Sequence, residues 1–512
     1  MTGGEIESDA QASQGFATRV RSALAWRYGS QIAAQVITWG STLIVVRILD
    51  PSDYGLFAMS QVVLAALNFL NGYGFASSLV RQPQVGEREI GQAFALLLLL
   101  NTGLAVTQWL IAPMAADYYN QPIIADMLRV QALLYFTTPF IALPSAVLAR
   151  RIRFREQGVS SVVSAVSGAI SALALAWYGY GLWALVYAPI IAFAVRAVTL
   201  MVAAGVWVRP VFDFRGAGAM IGFGGAMTLA QLFWIIQSQS DIFIAGRTFE
   251  AHELGLYAEA LFLTLIVTGR FLPPLNDVAF PAYAELHQTG RSLAPYFERA
   301  MRSVALVTAP VYVGLSLTAP EAVYTLFGEK WMPMAPIVAG LSLVMPLMAL
   351  QIVCAPATDA TGQARIHVTT TMFGALAFVA CFLFGVRYGP MGLVHAWWAA
   401  APLLLIFTLA LTMPKVGMRI SGFLAALVPA LVATGVMAAT VLAVRATLPE
   451  WHSAWRLALL VAAGALAYGA TLWFGWQGVV RDSLAMFRGS PPPLAARAPG
   501  DRRVELRGAP KP

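Results

Sequence analysis

Apolar runs of about twenty residues, the length of helix that crosses a hydrocarbon core, recur along nearly the whole chain between short polar or basic connections. They predict fourteen spanning helices, at residues 26–46, 54–73, 90–113, 123–148, 159–177, 181–206, 217–240, 254–275, 297–318, 333–356, 367–386, 390–413, 422–444 and 454–474. Polar positions inside these runs are few, so each carries information. Arg27, Gln31 and Gln35 recur every four residues at the head of the first helix and share one face. Gln231, Trp234, Ser238 and Asp241 share a face of the seventh by the same spacing.

The pattern then repeats. RILDPSDYGLFAMS, from Arg47 to Ser60, returns as RTFEAHELGLYAEA, from Arg247 to Ala260. Arg47 and Arg247, Gly55 and Gly255, Leu56 and Leu256, and Ala58 and Ala258 coincide at an offset of 200. APMAADYYNQP, from Ala112, has its counterpart in APEAVYTLFGEKW, from Ala319. YGYGLWALV, from Tyr178, has its counterpart in VRYGPMGLV, from Val386, so the offsets are 207 and 208. The unit is six helices. An even number of crossings returns the chain to its starting side, so the copies run parallel, as in transporters whose substrate path lies between repeats.

The expected fold is therefore an all-α polytopic membrane protein of about fourteen helices. A tail at residues 1–25 precedes an N-lobe at 26–208 and a C-lobe at 209–414. A helix pair at 415–476 lies outside the repeat, and a basic, Pro-rich tail at 477–512 is expected to be disordered. Lobes facing each other across a midplane cavity would give alternating access by rocking.

Composition narrows the class. Fifty-nine per cent of residues are hydrophobic and 11% charged, with a mean hydropathy of +0.69, where a soluble domain carries about a quarter charged residues. With the N-terminus in the cytoplasm, Arg47, Arg247, Lys330, Arg387, Arg445 and Arg456 are the basic residues left on the far side. Arg129, Arg196 and Arg270 fall within spans, and the rest of the 33 Lys and Arg lie on the cytoplasmic side. RRIRFR, from Arg150 to Arg155, is the densest cluster there. Both termini are expected in the cytoplasm. The net charge of +8 is topological and does not point to nucleic acid. The N-terminus lacks the apolar core of a signal peptide. Cys354 and Cys381, the only cysteines, sit in apolar runs, which argues against a disulfide framework or a cysteine-rich metal site. No Walker A pattern occurs, and Asp50-Pro-Ser-Asp53 reads as a repeated turn rather than a metal motif. No cofactor, metal or enzymatic activity is expected.

The turn after the first helix, RILDPSDYGLFA, resembles the Arg-x-Leu-x-Pro-x-(Asp/Glu)-Tyr-Gly signature of polysaccharide-export flippases. LFGEKWMPMAPIVAGLSL, from Leu326, resembles their Phe-Gly-x-x-Trp segment. From about Trp26 to Met413 the chain is similar to the Wzx-type branch of the multidrug/oligosaccharidyl-lipid/polysaccharide exporter superfamily. That resemblance implies a bacterial inner-membrane flippase. Its substrate would be an undecaprenyl-pyrophosphate-linked oligosaccharide, moved to the periplasmic leaflet for exopolysaccharide, capsule or lipopolysaccharide O-antigen assembly. Its partners would be membrane lipids and the polysaccharide polymerase and export machinery. One chain holds both halves of the path, so a monomer suffices. The alternatives are a cation-coupled small-molecule antiporter of the same superfamily, a membrane-embedded glycan polymerase or ligase, and a scaffold for polysaccharide enzymes. The arginines and the signature oppose the first, and short outer loops oppose the second.

Arginine suits a pyrophosphate because its planar fork holds phosphate oxygens in pairs and stays protonated. Arg129 and Arg270, with Arg196 and Arg27, are the candidate phosphate-facing residues, against a plainer reading as interfacial side chains reaching for headgroups. Gln31, Gln35, Gln231, Trp234 and Ser238 are candidate glycan contacts, against polar packing between helices. Asp241, Asp277, Asp359 and His395 are candidate coupling sites. Arg47 and Arg247 are candidate gate residues. The plainer reading, a turn salt-bridged to Asp50, Asp53, Glu250 and Glu253, is preferred.

Overall fold

A computed structural model of the chain describes residues 26, 29–68, 70, 86–205, 207, 209–213, 218–449 and 454–478. Arg27, the tail at 1–25 and residues 479–512 of the other tail lie outside the described residues. Among those described, the regular structure is helical and no strand occurs.

The first half of the chain forms α1 (Gly29–Ile48), α2 (Pro51–Asn68), α3 (Glu87–Tyr119), α4 (Ile123–Gln131), α5 (Leu133–Arg150), α6 (Phe154–Trp177) and α7 (Leu182–Ala204). The second half begins with α8 (Gly218–Thr248), α9 (Ala251–Gln288), α10 (Ala294–Leu317) and the short α11 (Ala319–Leu326). A 3-10 turn, Glu329–Met334, leads into α12 (Ala335–Ile352), α13 (Cys354–Ala360), α14 (Ala364–Gly385) and α15 (Gly389–Val416). Two last helices follow, α16 (Ile420–Thr447) and α17 (Ala454–Gly475).

Eleven stretches of the described residues are long and apolar enough to cross a membrane, and one of them, Arg365–Val416, holds α14 and α15 together. α2 and α8 are outside that set. The chain is a multi-pass, all-α membrane protein, and length and hydropathy alone do not reach the expected fourteen. The expected fourth helix is split at Ala132 into α4 and α5. The expected eighth runs on to Gln288, straight through Pro273, Pro274 and Pro281. Prolines are tolerated in membrane helices where neighbouring groups satisfy the freed carbonyls.

The halves meet backbone to backbone. α2 crosses α9 at Gly55 and Gly255. A Cβ at Gly55 would overlap the Ala251 carbonyl, and a Cβ at Gly255 would overlap the Pro51 carbonyl. Each contact is the other displaced by 200 residues, so the crossing is two-fold. Small residues allow such approach where no hydrophobic force drives helices together. A core of Tyr119, Tyr257, Tyr312, Trp331, Phe378 and Trp397 runs across both halves.

α16 and α17 pack on α10, where Tyr468 Oη donates to the Leu306 carbonyl at 2.7 Å and Arg445 to the Leu317 carbonyl at 2.9 Å. Glu321, fully buried, faces Arg445 at 3.7 Å and Arg456 at 3.4 Å. The link between halves is tied to the head of α3. Val211 N donates to the Gly91 carbonyl at 3.0 Å, Gln92 to the Asp213 carbonyl at 2.6 Å, and Arg88 pairs with Asp213 at 2.7 Å.

Candidate substrate cavity

A cavity of about 1140 Å³ opens within the first half and is closed off by the second. α1 supplies Gln31, Gln35, Thr38 and Thr42, α2 supplies Tyr54, Phe57 and Gln61, and α5 supplies Ser145. α6 adds Gln157, Ser161 and Ser164, and α7 adds Phe193 and Arg196. From the second half come Gln239 on α8 and Glu259 and Phe262 on α9. The wall between α6 and α7 is tight because small residues and hydroxyls build it. Ser164 Oγ donates to the Ala192 carbonyl at 2.8 Å, Ser160 and Thr199 share a hydrogen bond of 2.6 Å, and a Cβ at Gly168 would stand 2.9 Å from Ala192 Cβ. Serine and threonine satisfy the backbone there and leave amides and rings to face the space.

Arg196 and Glu259 are the formally charged side chains on this wall, and they lie at different depths. A Cβ at Gly181 would lie 3.8 Å from Asp53 Oδ1, so the head of α7 is level with the head of α2. Arg196 is fifteen residues further along α7, while Glu259 is one turn past the Gly255 crossing. At about 1.5 Å per residue, Glu259 stands roughly 6 Å below the crossing and Arg196 roughly 13 Å lower still. Glu259 Oε2 and Tyr54 Oη, which both border the cavity, are buried without hydrogen-bond partners.

Above the crossing the halves are stitched together twice. Arg47 donates to the carbonyls of Thr325 and Leu326 on α11. Lys330 donates to the Ile48 carbonyl at 3.0 Å and pairs with Asp50 at 3.2 Å. Trp331 Nε1 donates to the Val46 carbonyl at 2.9 Å, and its ring meets Tyr54 edge-on at 5.4 Å. Reciprocally, Arg247 lies over the Tyr118 ring at 5.0 Å, and Tyr118 stacks on Phe243 at 4.6 Å. Tyr118 and Thr325 are themselves 207 residues apart, the offset of the repeat. The two arginines therefore bind the opposite half. The turn salt bridges expected for them do not form, because the guanidinium groups reach across to carbonyls and a ring. The cavity is sealed on this side and extends toward the ends of α5 and α7, the side that carries Arg150 to Arg155.

The predicted residues are scattered relative to this space. Gln31, Gln35 and Arg196 lie on the wall. Arg129 does not. It pairs with Asp126 at 3.3 Å and sits 5.3 Å from the Trp109 ring, at the end of α4. Arg270, Asp277 and His395 are exposed and off the wall. Asp241 is buried behind it, accepting from Tyr257 Oη at 2.9 Å and from Ile242 N at 2.8 Å, with Trp397 donating to Tyr257 Oη at 2.9 Å. Asp359 is paired with His367 at 3.1 Å. Trp234 is exposed, and Ser238 donates to the Ile235 carbonyl. The side chain of Gln231 lies outside the described residues. On α8 it is Gln239 and Ile242, three residues apart, that face the cavity. Glu259, Gln61, Gln157, Gln239 and Tyr54 are among the wall residues that the sequence pattern did not single out.

Residues 44–336, more than half of the chain, match the model of a family described as polysaccharide biosynthesis protein. The succinoglycan biosynthesis transport protein ExoT of Rhizobium meliloti (strain 1021) is 24% identical over 69% of this chain and 72% of its own. The lipopolysaccharide biosynthesis protein WzxC of Escherichia coli (strain K12) is 20% identical over 67% of this chain and 70% of its own. The teichuronic acid biosynthesis protein TuaB of Bacillus subtilis (strain 168) is 23% identical over 77% and 83%. Among solved structures, the lipid II flippase MurJ in an inward closed conformation superposes with a TM-score of 0.73 at 12% identity, covering 89% of this chain and 99% of that one. An inward-facing multidrug resistance MATE family transporter of the MOP superfamily gives 0.57 at 14% identity, over 75% and 94%. The fold is the one these transporters share.

Proposed function

The chain belongs to the polysaccharide biosynthesis protein family, and from that premise we propose that it flips a lipid-linked oligosaccharide across a bacterial inner membrane. The observation that carries the reading is a large cavity that presents amides, hydroxyls and one arginine among apolar side chains, sealed on one side, in a multi-pass membrane fold. The positive-inside rule puts Arg150 to Arg155, and with them the open side, in the cytoplasm. The lobes are residues 26–208 and 209–414. Arg196 holds the pyrophosphate, which is the costly part of the cargo to take through hydrocarbon. Gln31, Gln35 and their neighbours on α2, α6 and α8 hydrogen-bond the glycan. Transport requires the α2–α9 crossing and the Arg47 and Arg247 contacts to part while a contact on the cytoplasmic side forms. That motion is transport and makes or breaks no covalent bond. The cargo feeds a polysaccharide polymerase, and one chain is enough to carry it.

The test is the fate of the lipid-linked repeat unit in a deletion strain complemented with wild type or Arg196→Ala. The expected result is polymer loss, with undecaprenyl-pyrophosphate-linked units trapped where only cytoplasmic reagents reach them, rescued by wild type and not by the variant. Units that reach the periplasmic leaflet of the deletion strain would refute flipping.

A further inference from the structure

Beside the seal, on the side away from Arg150 to Arg155, lies a second cavity of about 750 Å³. Its wall joins Arg47 at the end of α1 to Thr325 on α11, to Glu329 and Lys330 in the turn after it, and to Ala454 at the head of α17. Two of these groups are the cations that stitch the halves together. Arg47 spends Nε and Nη2, one whole edge of its planar fork, on the carbonyls of Leu326 and Thr325, the last two of α11. Carbonyls at a helix end have no partner within their own helix. Among the described residues no carboxylate pairs with Arg47. Lys330 divides its ammonium between the Ile48 carbonyl and Asp50. Trp455, next to Ala454, is 82% exposed, as an aromatic ring at the headgroup level of a membrane is. We propose that this second cavity is an outer-face site for a pyrophosphate group, and that a pyrophosphate held there draws Arg47 and Lys330 off the contacts that seal the main cavity.

A carbonyl is a neutral acceptor. A phosphate oxygen is charged, matches the guanidinium fork and makes a hydrogen bond roughly twice as strong. When Arg47 turns to such a ligand, water in the pocket can take its place on the two carbonyls. Lys330 is the weaker anchor of the seal, since its partner Asp50 is itself 72% exposed and exposed ion pairs contribute little. Glu329, on the same wall, opposes an anion and keeps the grip weak enough to release.

The inference rests on the flippase reading for the origin of the ligand. A cargo delivered to the outer leaflet carries its pyrophosphate at the level that Trp455 marks, with its chain in the lipid. Holding that group and sealing the cavity use the same two side chains, so each excludes the other. A filled site keeps the outer side open by as much as the ligand prefers the open state. Removal of the delivered lipid, by the reaction that joins its sugars to a growing polymer, lets the seal close again.

The test uses intact spheroplasts carrying the full chain with Gln61→Cys, Cys354→Ser and Cys381→Ser, labelled from outside with a bulky impermeant maleimide. Ligands added outside meet the sealed face and not the Arg196 side. Three are compared at equal ionic strength: a short-chain polyprenyl pyrophosphate, inorganic pyrophosphate and the unphosphorylated polyprenol. Both pyrophosphates should raise the labelling rate at least about threefold, and the polyprenol should not. Arg47→Ala should label fast without ligand and gain nothing from either pyrophosphate. Glu329→Gln should lower the pyrophosphate concentration that gives half the rise by at least about threefold. No rise with either pyrophosphate, the same rise in Arg47→Ala, or an unmoved concentration in Glu329→Gln overturns the site and leaves the flippase reading to its own test. A rise with the lipid alone assigns the site to delivered cargo. A rise with inorganic pyrophosphate alone keeps the anion site and counts against a lipid-borne cargo.

Discussion

A methyl group placed on Gly55 should open the sealed side. Gly55→Ala puts a carbon where the Ala251 carbonyl already stands, and Gly255→Ala does the same to the Pro51 carbonyl. Backbone cannot rotate away as a side chain can, so α2 and α9 must separate or the variant must occupy a state in which they are already apart. Overpacking of this kind costs about 1–3 kcal/mol, and this falls only on the sealed state. At about 1.4 kcal/mol per factor of ten, the equilibrium should move toward the open side by about fivefold to 150-fold. The assay labels a cysteine at Gln61, on the cavity wall, with a bulky impermeant maleimide applied from the side on which the cavity is sealed, after Cys354 and Cys381 are replaced by serine. Gly40→Ala is the control, because a Cβ there meets nothing within 4 Å. Gly55→Ala should raise the labelling rate by at least about fivefold, and adding Gly255→Ala should raise it by less than a second full factor, since the gap is already open. An unchanged rate at normal protein level, or an equal rise in Gly40→Ala, would show that the crossing is not what seals the cavity.

Three other outcomes follow from contacts described above. Arg47→Ala should speed the same labelling more than Arg47→Lys, because a lysine can replace part of the two-carbonyl contact, and equal rates for the two variants would sink the idea. Glu321→Gln should lower the melting temperature in detergent, because fully buried Glu321 pairs with Arg456, only 5% exposed, at 3.4 Å, and breaking a buried pair costs about 3–5 kcal/mol; an unshifted melt would argue against that ion cluster. Arg129→Ala should keep polymer export near wild type while Arg196→Ala abolishes it, since Arg129 is engaged with Asp126 and Trp109 away from the wall. Loss of export in Arg129→Ala at normal expression would contradict this placement.

Much of the architecture was legible because membrane helices announce themselves by length and apolar content. The face of Gln31 and Gln35 was legible because nothing competes for it on α1. α8 shows the opposite case. Its polar residues answer two demands, and Asp241 turns inward to Tyr257 and Trp397 while Gln239 turns to the cavity. Periodicity reports a polar stripe without saying which neighbour it serves. Arg129 misled because its run of apolar residues reads as one helix, whereas α4 ends just after it and Asp126 waits one turn earlier. Glu259 was visible as a lone acid in an apolar run, where the matching residue of the first copy is Met59. Intramembrane acids are functional candidates by default, and that signal would have found it.

The two arginine contacts and the paired glycines are duplicated, while the cavity is drawn chiefly from one copy. The lock is held in duplicate, so a change to one jaw calls for a matching change in its twin. The chamber is lined mostly by the first copy, so a change on its wall calls for no matching change in a twin. Recognition could therefore be retuned by exchanging the first two hundred residues between relatives, with Gln239, Ile242, Ala258, Glu259 and Phe262 as the wall residues of the second half to carry along, and the lock would still close on whatever the new chamber holds.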